Sequence, residues 1–438
     1  MIRRMATDPI PQFPSDFLWG VSTSAHQIEG AADQRGLSVW DAFTAEPGRV
    51  KDGSTAAVAC DHYHRYREDV ALLAGLGVDA YRFSISWPRV NSPNGLDFYD
   101  RLVDELCRAG VRPVPTLFHW DLPVSLDWLK RDTALSFAEY VSTVADRLGD
   151  RVTKWITINE PAEHTLFGHA LGAHAPGRQL MFDALPAAHH QLLAHGLAVQ
   201  ALRASGATDI GIANSHGPTW PVSQEQPDLE AADFYDLLLN RLFADPVLLG
   251  EYPEGIGELM PGDVPADLKV IGEPLDFYGV NYYAPARVGA PQGTDIEFGG
   301  LTIPAELPFS VREIDGVPVT DFGWPVVPEG LTELLTGFHE RYGDRLPPVV
   351  ITENGCSYEG VDDQERIAYL DGHVRALHGA LAAGVDVRGY FVWSLLDNFE
   401  WAEGYARRFG LVHVDFETQT RTPKASYGWY QELLRAQR

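Results

Sequence analysis

Lys154-Trp155-Ile156-Thr157-Ile158-Asn159-Glu160 is the stretch on which the fold turns. It is short, rich in β-branched and aromatic side chains, and apolar on both alternating faces, as a strand covered from both sides must be. It then closes on polar Asn159 and Glu160 and meets Pro161. Seven further runs of this kind lie outward from it: Phe17–Gly20, Val78–Trp87, Val111–Trp120, Asp209–Asn214, Leu275–Tyr283, Pro348–Asn354 and Val387–Leu395. Between them fall stretches with apolar residues at helical spacing: Tyr66–Leu76, Phe98–Ala109, Ser136–Leu148, Ala187–Ala204 and Arg366–Ala383. Strand and helix alternate, which predicts a parallel sheet sheathed by helices, and eight repeats predict a closed (β/α)₈ barrel of the α/β class. An open doubly wound sheet would need a Gly-x-Gly-x-x-Gly turn after its first strand, and none is present.

The chain has 438 residues, more than most domains, but barrels of this kind exceed the usual size without dividing. No low-complexity tract or Pro/Ser-rich linker marks a boundary, so one catalytic barrel is expected over residues 13–435, preceded by a short extension at 1–12. The segment from Ala284 to Thr320 reads as a long irregular surface loop. Composition is globular, 45% apolar with 11 Trp, 17 Tyr and 20 Phe. A net charge of −27 repels the phosphate backbone and no Lys/Arg run offsets it, so nucleic acid is not an expected partner. Cys60, Cys107 and Cys356 are odd in number and widely spaced, which suits a reducing compartment rather than a disulfide framework. With no apolar signal core near Arg3 and Arg4 and no membrane-length apolar run, a cytoplasmic location is expected.

Active sites of such barrels form at the C-terminal strand ends, so polar residues closing an apolar run carry the most weight. The runs close as Thr116-Leu-Phe-His119-Trp120-Asp121, Thr157-Ile-Asn159-Glu160-Pro161, Asn281-Tyr-Tyr283, Ile351-Thr-Glu353-Asn354-Gly355 and Trp393-Ser-Leu-Leu-Asp397-Asn398. Glu160 and Glu353, ending the fourth and seventh runs, would face each other across the barrel mouth as two-carboxylate glycoside cleavage requires. One would attack the anomeric carbon. The other, kept protonated by its neighbour's charge, would protonate the leaving oxygen and later activate water. Gln27, His119, Asn159 and Glu400 can grip sugar hydroxyls, and Trp393 and Trp401 can stack on a pyranose. The spacing alone does not say which glutamate plays which part.

On these residues the chain resembles family 1 of the glycoside hydrolases, from Phe13 to about Leu434. The resemblance is carried by Phe17–Gly20, Gln27-Ile-Glu-Gly30, Tyr81–Pro88, Thr116–Pro123, Thr157–Pro161, Asn281–Tyr283, Ile351–Gly355 and Trp393–Tyr405. It implies a retaining β-glucosidase acting without metal or organic cofactor on terminal β-D-glucosyl residues of small glycosides or short oligosaccharides, with some acceptance of β-galactosides or β-fucosides. By resemblance Glu160 is the acid/base and Glu353 the nucleophile, Arg82 and Tyr283 support the nucleophile, Asn159 binds the 2-hydroxyl, and Gln27, His119, Trp393, Glu400 and Trp401 complete the sugar site. Trp120 and Asn281 are assigned supporting places. A role in polysaccharide and cellulose breakdown would follow. Whether the chain forms a homo-oligomer is left open.

The intact Glu400-Trp401 pair disfavours a phosphorylated sugar, whose charge the carboxylate would repel, and Glu160 disfavours the thioglucosidase branch, which carries Gln there. Two departures fall on the leaving-group side. Ala162 stands where many relatives have Trp, and the run Ser125-Leu-Asp-Trp128 is short, so an aromatic platform would have to come from Trp128, His164 or Phe167. His26 stands where Tyr is common. His62-x-His64 and His189-His190 lack the spacing of a metal site, and Cys356 reads as a buried inert thiol. Rival readings are a sugar-binding protein without turnover and a metal-dependent barrel hydrolase.

Overall fold

Eight parallel strands close on themselves in the computed structural model, which describes residues 9–298 and 301–438. They are β1 (Leu18–Ser22), β2 (Ala80–Ser84), β3 (Arg112–Phe118), β4 (Lys154–Asn159), β5 (Asp209–Ser215), β6 (Tyr278–Asn281), β7 (Val349–Asn354) and β8 (Val387–Trp393). Each pairs with its neighbour in sequence, and β1 pairs with β8, Leu18 opposite Gly389 and Ser22 opposite Trp393. The (β/α)₈ barrel expected from alternation is the fold.

The barrel floor is a layer of Leu18, Ala80, Val114, Ile156, Ala213, Phe277, Val350 and Phe391, all buried. The two phenylalanines fit because glycines lie beside them: a Cβ on Gly20 would meet the Phe391 ring at 2.3 Å, and one on Gly211 the Phe277 ring at 2.5 Å. Outside, the helix Gly95–Arg108 buries Phe98, Tyr99, Leu102, Val103 and Leu106, spaced by three and four residues along one face, and leaves Asp97, Arg101 and Arg108 outward. The last helix, Ala425–Ala436, closes the ring and ties down the start of the chain. Gln12 donates to the Ala436 carbonyl and the Phe13 N–H to Gln437 Oε1. Of the extension expected at 1–12, residues 1–8 lie outside the described residues.

Three expectations are corrected. The run expected as a strand from Val78 to Trp87 contributes only Ala80–Ser84, because Ser86 and Pro88 open a short helix, Trp87–Val90. The sixth strand is likewise only Tyr278–Asn281 within Leu275–Tyr283. The supposed loop Ala284–Thr320 contains strands. Ala286–Gly289 pairs antiparallel with Ser310–Arg312 and parallel with Thr219–Pro221, and Ile296–Phe298 pairs with Leu301–Ile303. Val288, Phe309 and Val311 bury themselves against Ala231 and Ala232 as a satellite core. Strands of three or four residues are too short to show an alternation, which is why the pattern missed them. No helix among the described residues is long and apolar enough to cross a membrane.

Candidate active site

The barrel mouth collects the C-terminal ends of β2, β3, β4, β6, β7 and β8, with Glu160 just beyond β4 and Glu353 near the end of β7. Both are buried, Glu160 at 6% and Glu353 at 3% exposure. Glu160 takes a left-handed backbone (φ +45°) between β4 and the turn Pro161–Glu163, its N–H donating to the Ala213 carbonyl at 2.7 Å. Such a conformation is costly for a residue with a Cβ and persists where surrounding bonds fix it. Trp120 (φ +76°) and Trp401 (φ +50°) share this feature at the same mouth.

Around Glu353 the donors are charged or strongly polar. Arg82 Nη1 donates to its Oε1 at 2.6 Å and the Tyr283 hydroxyl to its Oε2 at 2.6 Å. Both carboxylate oxygens are thus oriented by short hydrogen bonds, one of them charge-assisted. Arg82 is fixed in turn through Nε to Thr116 Oγ1 (3.0 Å), Nη1 to the Thr352 carbonyl (3.0 Å) and Nη2 to Asn159 Oδ1 (2.6 Å). Burial holds the Tyr283 phenol well above its usual range, with the charge of Glu353 adding to the effect, so it remains a donor.

Glu160 is placed differently. Among the described residues an amide is what reaches it, Asn281 Nδ2 donating to Oε1 at 2.8 Å. Burial raises its pKa well above the usual carboxyl range, and the charges of Glu353 and then Glu163 raise it further. Two carboxyl groups therefore share one cleft, one gripped by a cation and one kept protonated, which is the division of labour that acid-assisted displacement at a sugar carbon needs.

Asn159 joins the two halves. Its Oδ1 accepts from Arg82 and from Asn281 (3.0 Å), which fixes the amide orientation and leaves Nδ2 facing His119 Nε2 at 3.1 Å. The amide donates, so Nε2 accepts and the His119 proton sits on Nδ1, which has no hydrogen-bond partner among the described residues. Burial and then the charge of Arg82 push this histidine well below its usual pKa, in keeping with a neutral ring. On the far wall Gln27 Nε2 donates to Glu400 Oε2 (3.2 Å), Asn398 Oδ1 (3.1 Å) and the Phe399 carbonyl (3.0 Å). Glu400 is pushed up to about 8, chiefly by burial and then by the charges of Glu353 and Glu403. Rings line the remainder: Trp401 lies 4.8 Å from Trp120 and 5.9 Å from His119, and Trp393 lies 5.7 Å from His119. Trp120 spends its indole N–H on the Asn159 carbonyl (3.0 Å), so it acts as a wall.

All twelve residues singled out in the sequence meet at this mouth. On the leaving-group side Trp128 is no platform, being fully buried against Phe118 and Phe137. His164 is buried beside Phe118, and Phe167 is half-buried beside His174. His26 stacks on Trp401 at 5.9 Å and 2° and is depressed to about 3 by burial. Cys356 is buried, its thiol pushed up to about 12, and His189 is paired with Asp267. Sequence reading passed over Glu163, one turn after Glu160, and Trp324, whose ring lies 5.2 Å from Tyr283. Spacing from Glu160 would have found the first; no local signal marks the second.

Barrel hydrolases that cleave glycosides between two carboxyl groups form the class this fold and mouth define. The chain belongs to glycosyl hydrolase family 1, whose model matches residues 10–438. It is 42% identical to beta-glucosidase A of Thermotoga maritima over 97% of this chain and 98% of that one. A bifunctional beta-D-glucosidase/beta-D-fucosidase of Bifidobacterium breve is 39% identical over 96% and 98% of the two chains. Among solved structures, a psychrophilic beta-glucosidase from Micrococcus antarcticus superposes with a TM-score of 0.92 at 46% identity, covering 98% of each chain. The Thermotoga maritima family 1 enzyme in complex with isofagomine lactam superposes with a TM-score of 0.90 at 41% identity, covering 97% and 99%.

Proposed function

We propose that this protein is a retaining β-glucosidase, with Glu353 as nucleophile and Glu160 as acid/base, acting as a single catalytic unit over residues 13–435. The observation that carries the reading is the unequal treatment of the two glutamates: Arg82 and Tyr283 orient both oxygens of Glu353, while burial and the charge of Glu353 keep a proton on Glu160. Glu353 attacks the anomeric carbon as the bond to the leaving oxygen breaks, and the Glu160 proton passes to that oxygen. The resulting ester removes the charge of Glu353, the pKa of Glu160 falls, and the same carboxylate takes a proton from the water that attacks the ester carbon. Two inversions return the β-anomer.

Asn159, locked by Arg82 and Asn281, presents its amide to the 2-hydroxyl; His119 offers Nδ1–H, Gln27 and Glu400 grip further hydroxyls, and Trp393 and Trp401 pack on the ring. The named relatives support glucose as the sugar, and the Bifidobacterium breve enzyme supports β-D-fucosides as a secondary substrate. Short β-linked glucosides of the kind released from cellulose, handled in the cytoplasm, are the proposed physiological substrates. An early proton-NMR time course on an aryl β-D-glucoside tests the proposal. β-Glucose appearing before mutarotation is expected, and α-glucose appearing first would overturn the two-step mechanism.

A further inference from the structure

Resting on that reading, we propose that an apolar hollow beginning two residues after the acid/base receives the leaving group, and that β-glucosides of short aliphatic alcohols are therefore substrates alongside the short β-linked glucosides. In the proposed reaction the Glu160 proton passes to the leaving oxygen, so the group which that oxygen carries lies on the Glu160 side of the sugar. From Glu160 the chain runs directly into the wall of the hollow: Ala162, on the turn Pro161–Glu163, and Leu166, on the stretch His164–Ala170, line it. Met181, Leu239, Phe243 and Phe309 close it from elsewhere in the chain. Thr165 is the one lining residue with a polar side chain, and its hydroxyl already accepts a hydrogen bond from Gln191 Nε2 at 2.9 Å. The lining side chains thus offer an occupant apolar contact rather than hydrogen bonds.

The walls are set by the backbone on two sides. His164–Ala170 and Leu237–Arg241 both wind as π-helical stretches, the Leu171 N–H reaching back five residues to the Leu166 carbonyl at 2.8 Å, a geometry that is uncommon in helices and recurs at functional sites. Another wall, Leu307 and Phe309, is buried in the satellite core and so is fixed. Ala162 adds only a methyl group where the wall starts, and at the rim Phe182, 46% exposed, carries the apolar surface outward. The hollow measures about 60 Å³, room for about four to six waters. A methylene fills about the space of a water, so an alkyl chain of similar length fits and buries its carbons against leucine and phenylalanine.

The test is kcat/KM on methyl, butyl, hexyl and octyl β-D-glucosides, whose leaving alcohols are almost equally acidic, so that the trend reads contact with the chain and not leaving-group chemistry. It should rise roughly two- to fourfold per methylene up to about hexyl and level beyond it. A flat series overturns the proposal. Ala162→Trp, which fills the hollow at its start, and Leu239→Asn, which puts an amide in its wall, should each cut the hexyl-to-methyl ratio of kcat/KM by about fivefold or more. Phe182→Ser, at the exposed rim, should cut it by less. A merely structural defect would lower the methyl and hexyl values together, and a ratio unchanged in every variant that folds overturns the assignment of the hollow. An aryl β-D-glucoside separates this inference from the reading beneath it: its cleavage alongside a flat alkyl series overturns the inference alone, whereas cleavage of no glucoside overturns both.

Discussion

Glu353 and Glu160 have the same side chain and, in the proposed mechanism, opposite tasks, so their variants should fail in different ways. Glu353→Gln keeps the shape but removes the only oriented nucleophile, and kcat on any β-glucoside should fall below about a thousandth of wild type. Near-normal turnover by that variant would remove Glu353 from the mechanism. Glu160→Ala leaves the nucleophile in place, so with a good leaving group the glycosyl-enzyme should still form and then wait for a base. Azide, which needs no base, should restore turnover and yield a β-glycosyl azide; its absence in a folded variant counts against Glu160. At this scale the sequence was informative because polar residues at the ends of apolar runs are rare and easily seen: Asn159-Glu160, Asn281 and Glu353 all stand there. What pattern could not supply was the wiring. That Asn159 bridges Arg82, Asn281 and His119 depends on three strand ends meeting in space, and nothing in the local sequence of β4 encodes that meeting.

Among the elements, the ends of β7 and β8 are tightly packed just after Glu353. A Cβ on Gly355 would fall 1.8 Å from the Trp393 carbonyl oxygen, and backbone cannot swing aside as a side chain can. Gly355→Ala must therefore part the two strand ends, carrying Glu353 and Trp393 with them, at a cost of about 1–3 kcal/mol or more. A drop in both Tm and kcat/KM is expected, and an alanine variant matching wild type in both would contradict the packing. Gly337 supplies the opposite case, exposed in the helix Glu329–Tyr342 with nothing within 4 Å of its Cβ position. Gly337→Ala should stabilise by about 0.5–1 kcal/mol, because it removes chain entropy from the unfolded state without a clash. Denaturant titration of the two variants reads both signs. Elements of this length were legible in advance: the helix expected at Ser136–Leu148 extends to Arg131–Leu148, and Ala187–Ala204 to Leu185–Ala204. Helix starts were missed because a first turn leaves several residues outside the buried face, and the small sheet around Val288 was missed because its strands are too brief for any period to show.

For the whole molecule, the pH dependence of stability follows from what the core buries. His26 and His195 are depressed to about 3, and His169, His174, His216 and His373 to about 4, each chiefly by burial; His119 and His164 are lowered too. Between these values and 6.5 the unfolded chain binds protons at these sites that the folded chain refuses. Their contribution is therefore full above 6.5 and is lost as pH falls. Four carboxyls act in the other direction: Glu163 is raised to about 7, Asp121 and Glu400 to about 8, and Glu160 well above its usual range. Each stays protonated in the folded chain where the unfolded one has ionised, so its contribution is lost as pH rises through the folded pKa. From about pH 4.5 to 6.5 the histidines outnumber the carboxyls and stability should climb with pH. Between about 7 and 8 the carboxyls dominate and it should decline, whereas from about 8 upward Lys424, lowered to about 8 by burial, begins to oppose them. Tm measured by calorimetry from pH 4.5 to 8 should accordingly peak between about 6 and 7, and a Tm still rising from pH 7 to 8 would show that the buried carboxyls ionise without cost. The decline on the alkaline side is the stability counterpart of the catalytic arrangement, because Glu160 and Glu400, two of the carboxyls responsible, line the sugar site, and Glu163 lies one turn from it.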